Sequence, residues 1–186
     1  INDARLLERY LNDSTKNIPS EIPTFKEFTE QLILPDPVNG QKHIEFRDFY
    51  QDIIDMQDQS YLITIDNDRQ TGITTFWAVF TLYQAIFNKD IKIAYLTPSQ
   101  KQASSFSNIL RNIFEISKLN NWIGMKKYNS NKIVFDNNSE ILCSVLSPYS
   151  LKDSTMNYTI VDDADYVSYS VMNDFLTGYL PVVGSL

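Results

Sequence analysis

Apolar positions recur at helical spacing through the first third of the chain and then give way to short continuous runs. Leu6, Leu7 and Leu11, with Tyr10 beside them, predict a helix over 3–12, and the polar stretch from Asp13 to Glu21 reads as a linker. Thr24 stands three residues before Glu27 and just after Pro23, a capping-box pair that opens a helix through Phe25, Phe28, Leu32 and Ile33. Pro35, Pro37 and the pair Asn39-Gly40 predict a loop containing a turn. Phe46 to Met56 is helical again, with Phe49, Ile53 and Met56 in one row and Phe46, Tyr50 and Ile54 alongside.

From residue 60 the period shortens. Tyr61-Leu62-Ile63-Thr64-Ile65 predicts a strand over 61–66, and Ile73 to Phe87 a long apolar helix. A second strand is expected at 91–96 and a helix at 99–119. Lys132-Ile133-Val134-Phe135, the turn residues 136–139 and the run 140–146 read as a hairpin. Asn157 to Val161 is a further buried strand, and a helix over 170–180 should stop at Pro181. Strands alternating with helices of this length predict an α/β fold, with helices flanking a parallel sheet that holds both the 61–66 and 157–161 strands.

Composition narrows the function classes. With 186 residues, of which 43% are hydrophobic and 13% aromatic, the chain can bury a core, so wholesale disorder is excluded. No stretch approaches the roughly 20 apolar residues of a membrane span. A single cysteine and a single histidine leave neither a disulfide framework nor a Cys/His zinc site. The net charge of -7 argues against a nucleic-acid grip spread over the whole surface. Cys143 reads as a small core residue, His43 as an ordinary surface residue, and Phe76, Trp77, Phe80, Tyr83 and Phe87 as core; Tyr166 and Tyr169 are expected to pack.

The chemistry concentrates in two places. Asn67-Asp68-Arg69-Gln70-Thr71-Gly72-Ile73-Thr74-Thr75 follows a predicted strand and opens a helix, the setting in which backbone N–H groups and a helix N-terminus converge on a phosphate. Against the pattern G-x-x-x-x-G-K-[ST], Gly72 and Thr74 match, Asn67 replaces the first glycine and Ile73 replaces the lysine. Further on, the apolar run Thr159-Ile160-Val161 ends in Asp162-Asp163. A carboxylate at a buried strand tip meets the ligand crevice at the C-terminal end of a sheet.

In this order the two signals resemble the large terminase subunit of tailed bacteriophages, the ATPase of the DNA-packaging motor. Asp68 to Thr75 is similar to that family's Ser-Arg-Gln-x-Gly-Lys-Thr-Thr loop. Ile133 to Ser139, Ser147-Pro148, Val161 to Ala164 and Leu180 to Val183 carry the likeness on, and Arg47-Asp48-Phe49-Tyr50 resembles an adenine-contacting Arg-Asp-Tyr-Gln. The resemblance covers about residues 42–186; residues 1–41 are expected to be an N-terminal helical appendage. It implies a phosphate-loop NTPase sheet with an inserted hairpin, incomplete at its C-terminal end and without a nuclease domain. ATP and Mg²⁺ are the implied cofactors. The loop from Asp68 to Thr75, with Arg69, Gln70 and Thr71, would hold the phosphates, and Thr74 and Asp162 the metal. Asp163 would stand at the catalytic acid's position, and Phe49, Tyr50 and Gln51 would border adenine. Viral double-stranded DNA, a portal protein, a small terminase subunit and further copies of the chain are the implied partners, in the host-cell cytoplasm and away from membrane.

The departures matter equally. Ile73 supplies no ammonium, and Arg69 is the nearest substitute cation in the loop. Asp163 is one methylene shorter than the family's Glu, Tyr50 replaces the adenine-contacting Gln, and Lys152-Asp153 replaces an Arg-Gly that is a candidate arginine-finger position. Weak nucleotide binding and impaired hydrolysis are therefore expected, the alternative being a catalytically silent interaction module.

Overall fold

The computed structural model describes residues 19, 21–36, 38–57, 59–60, 62–66, 68, 71–151 and 154–183. The helix predicted over 3–12 lies outside them.

The first described element is helix α1 (Phe25–Gln31), and its start follows from the capping box. Thr24 Oγ1 accepts from the Glu27 N–H at 3.2 Å while Glu27 Oε2 accepts from the Thr24 N–H at 2.8 Å. The helix ends earlier than its apolar spacing predicts: Leu32 is extended and Ile33 opens a strand. That strand, β1 (Ile33–Asp36), pairs antiparallel with β2 (Gly40–His43), so the expected loop is a hairpin. Pro35 is accommodated because the ribbon has only two strands and every strand in it is an edge.

Helix α2 (Asp48–Gln57) and helix α3 (Ile73–Phe87) fall where the periodicity puts them. Between them the prediction fails. Residues 62–66 run without ladder hydrogen bonds and join no sheet, and Tyr61 is outside the described residues. Leu62, Ile63 and Ile65 have the residue types of a strand, but strand formation needs a partner that local sequence does not supply.

The main sheet has five strands. Strand β3 (Lys92–Thr97) lies between β6 (Glu140–Val145) and β7 (Tyr158–Val161), parallel to both. Helix α4 (Gln100–Ile116) carries the crossover from β3. Strand β5 (Lys132–Phe135) returns antiparallel to β6, giving the predicted hairpin, and β4 (Met125–Tyr128), absent from the sequence reading, pairs antiparallel with β5. The sheet is thus a three-stranded parallel core widened by antiparallel strands. Helix α5 (Tyr169–Val183) runs past Pro181. A proline in the last turn forfeits one late hydrogen bond rather than breaking the helix in its middle.

Two apolar layers enclose the sheet. Ile93 and Tyr95 of β3 face a core shared with Phe28, Phe76, Phe80 and Phe106, while Ala94 and Leu96 face Phe175 and Tyr179 of α5. Alternation along one strand therefore feeds both layers, which explains why β3 is buried from Ile93 to Thr97. Phe25, Phe28 and Leu32 join the first core, so α1 packs on the same sheet face as α3. The aromatic residues of α3 are core as expected, and Cys143 is buried, with burial pushing its thiol up to about 12. Tyr166 and Tyr169 are more exposed than expected, at 64% and 86%, because they lie on the turn and first residue that lead into α5 rather than on its inner face.

Because Thr24 and Glu27 define where α1 starts, Thr24→Ala should lower the thermal midpoint by about 2–4 °C, measured by calorimetry. The Thr24 hydroxyl and N–H hold the Glu27 carboxyl below its usual value. A depressed folded-state value means this contribution is present at neutral pH and lost as pH falls through that value. The difference between variant and wild type should therefore shrink on acidification.

Candidate functional site

The N-terminus of α3, strand β7 and the turn that follows it line one cavity of about 1040 Å³. On the helix side, Gly72 sits at φ 86, ψ 19 and caps α3 from the left-handed region. Two side chains from α2 and the residue before it brace this turn from behind. Tyr50 Oη donates to the Gly72 carbonyl at 3.3 Å, and Arg47 Nη1 donates to the Thr71 carbonyl. A Cβ at position 72 would stand 3.4 Å from Arg47 Cζ, so the turn needs glycine for its backbone and has a close neighbour as well.

On the strand side, the last ladder bond runs from the Asp162 N–H to the Leu96 carbonyl at 2.9 Å. Beyond it the chain leaves the sheet, and Asp163 adopts φ 54 to enter the short turn Ala164–Tyr166. The Thr74 hydroxyl, in the first turn of α3, donates to Asp162 Oδ2 at 3.3 Å across 88 residues of sequence. Tyr95 Oη donates to the same oxygen, and the Asp163 N–H donates to Asp162 Oδ1 at 3.1 Å. Tyr95 is buried with its ring stacked 3.4 Å from Phe106, so its hydroxyl has a fixed position. Burial, then the neighbouring Asp162 carboxylate, raise the phenol far above its usual value. It acts as a neutral donor that orients an anion.

The sequence-predicted residues separate into three groups. Asp68, Thr71, Gly72, Ile73, Thr74, Asp162 and Asp163 line this cavity, whereas Thr75 does not. Tyr50 is 1% exposed, packed against Phe46, Phe49 and Phe76, and reaches the loop only through its hydroxyl. Gln51 donates to Asp55 at 2.7 Å and lines a separate cavity of about 420 Å³ with Thr24, Tyr83 and Tyr158. Arg69, Gln70 and Lys152 lie outside the described residues.

The electrostatics are one-sided. Asp66, Asp68, Asp162, Asp163 and Asp165 all line the cavity, and no Lys or Arg does so among the described residues. Ile73 stands there with an apolar side chain. Thr74 and Asp162 together offer a neutral and an anionic oxygen held at the ends of rigid elements, a donor pair that suits a hard divalent cation retaining most of its water. No described group of three or more His, Cys, Asp or Glu residues forms a metal cage.

Sequence reasoning missed Tyr95 and Gln102. Nothing marks Tyr95 except a polar atom inside an otherwise apolar strand. Gln102 has only its position three residues after a helix-capping serine; its Nε2 donates to Asp163 Oδ2 at 2.7 Å.

Gly72→Ala should cost about 1–2 kcal/mol in denaturant unfolding, from the left-handed backbone alone. Gly72→Asn should cost less, since asparagine tolerates that region. Equal stability of Gly72→Ala and wild type would contradict the observed turn.

No family model matches the sequence. Among solved structures, the HK97 bacteriophage large terminase is similar with a TM-score of 0.61 and 16% identity, over 84% of this chain and 34% of that one. The large terminase ATPase domain of Thermus phage P74-26 is similar with a TM-score of 0.50 and 15% identity, over 62% of this chain and 53% of that domain. The chain thus spans about a third of the length of the HK97 protein. The chain has the fold of the ATPase domain of phage large terminases.

Proposed function

We propose that this chain is the ATP-binding core of a large-terminase-type motor that moves viral double-stranded DNA into a capsid. One observation carries the reading: Thr74 Oγ1 and Asp162 Oδ2, far apart in sequence, meet at 3.3 Å where a loop–helix junction faces a strand tip. A phosphate-binding loop needs a hydroxyl in the first helical turn and an acid opposite it, and both are in place.

Thr74 and Asp162 would hold Mg²⁺, which when bound offsets the negative charge of the phosphates. The first turn of α3, entered through Gly72, presents backbone N–H groups and the positive end of a 15-residue helix to the phosphates. Asp163 lines the same cavity and would be the acceptor that orients a water. In the reaction, the water oxygen bonds to the γ-phosphorus while the bond from that phosphorus to the ADP oxygen breaks. The proton of the water passes through Asp163 to the released phosphate. The portal protein, small terminase subunit, further copies of the chain and the host-cell cytoplasm belong to this reading as its setting.

A second reading, a silent interaction module, has its own support in the five carboxylates and absent cation among the described lining residues. The two diverge in measurable ways. Calorimetry with Mg-ATP should give binding weaker than low micromolar, and Asp162→Asn should abolish whatever gain Mg²⁺ confers. Ile73→Lys should tighten Mg-ATP tenfold or more, as a charge-assisted hydrogen bond of roughly 1.5–3 kcal/mol implies. Unchanged affinity in Ile73→Lys would mean that Ile73 does not face phosphate.

Hydrolysis should be slow in the wild type. Ile73→Lys combined with Asp163→Glu should raise phosphate release by more than the product of the single effects, since residues serving one transition state act as a unit. A nucleotide bound by the double variant but never hydrolysed would favour the silent module.

A further inference from the structure

Asp163 is an exposed carboxylate on a left-handed turn, one methylene shorter than the usual acid, and such a side chain left alone rotates freely. It is not left alone. Gln102, the third residue of α4, reaches across from the end of β3 to the end of β7 and places Nε2 2.7 Å from Asp163 Oδ2. The amide cannot turn over, because Gln102 Oε1 accepts from Ser99 Oγ at 2.6 Å. A carboxylate only accepts, so the NH₂ must face Asp163 and the carbonyl must face the hydroxyl.

Ser99 is itself fixed. Its Oγ accepts from the Gln102 N–H at 3.4 Å as the N-cap of α4, and its carbonyl accepts from Thr97 Oγ1 at 2.9 Å. Four residues thus form a relay from the last residue of β3 to the acid that follows β7. The relay occupies Oδ2 and leaves Oδ1 without a protein partner among the described residues. Gln102 lines the same cavity as Asp163 and Thr74.

We propose that Gln102, oriented by Ser99, is a positioning residue for Asp163, holding one carboxylate oxygen so that the other is presented to a water at the cavity mouth. The proposal rests on the hydrolase reading for its purpose but not for its geometry. Pinning the acid from the neighbouring element compensates for its short reach: freedom about two side-chain torsions is replaced by a single orientation. A displacement of about 1 Å at a reacting group can cost on the order of 10²-fold in rate.

Two measurements on the full chain test it. In ¹⁵N-edited spectra the Gln102 side-chain amide should be resolved from the solvent-exposed glutamines and exchange slowly. Asp163→Ala and Ser99→Ala should each return it to the exposed position, whereas Thr75→Ala should leave it unmoved. Single-turnover phosphate release from bound Mg-ATP, in wild type and in Ile73→Lys, should fall tenfold or more in Gln102→Ala with the dissociation constant for Mg-ATP unchanged. In an Asp163→Ala background the same substitution should cost nothing further.

An amide resonance indifferent to Asp163→Ala overturns the proposal. So does a Gln102→Ala rate equal to its parent, or a loss that persists unchanged without Asp163. If no background hydrolyses ATP, it is the hydrolase reading that fails, and the amide spectrum then decides the Gln102–Asp163 pairing by itself.

Discussion

The distances in the cavity depend on the parallel ladder between β3 and β7, in which Leu96 lies opposite Val161 and the Asp162 N–H closes the last bond on the Leu96 carbonyl. That register decides where the acid pair leaves the sheet. A slip of one residue would turn Asp162 to the opposite face and take it away from both Thr74 and Tyr95. The ladder is protected in turn by burial on both faces, where the α3 and α4 side of the core meets Tyr95 and the α5 side meets Leu96. Site geometry and core packing are therefore properties of one strand.

A second consequence of β3 is that the neighbouring acids are treated differently. Asp162 is gripped by a buried, neutral phenol and a hydroxyl from the first turn of α3, so its position is set from inside the protein. Asp163 is gripped by an amide at the surface, and its backbone has turned into the left-handed region to reach it. The first arrangement favours a fixed ligand, the second an acceptor with access to solvent. Paired carboxylates with separate environments can take separate roles, because each environment sets its own orientation and access to solvent.

Much of this was legible in the sequence wherever the determinant was local. The capping box at Thr24 and Glu27, the apolar period of α3 and the hairpin turn at 136–139 need only neighbouring residues, and each element formed. The loop and the acid pair were legible as types in order, and they line one cavity. What escaped was non-local. Residues 62–66 have strand chemistry but no partner, Ile33 left a helix because β2 could pair with it, and β4 exists because β5 offers an edge. Tyr95 and Gln102 acquire meaning only from what stands beside them after folding. Tyr50, whose place suggested a ligand contact, is packed among Phe46, Phe49 and Phe76, since an aromatic residue at that point of α2 fills the core first.

The burial of Cys143 has a practical side. It is the chain's one thiol, it sits in β6 against the core, and desolvation keeps it protonated at neutral pH. Maleimides and similar reagents attack the thiolate, so the native protein presents them with almost no target. A cysteine introduced on an exposed position such as Tyr169, beside the cavity-lining turn, would be labelled by itself without first removing the native one. A single fluorophore there would report on the cavity mouth against a dark background.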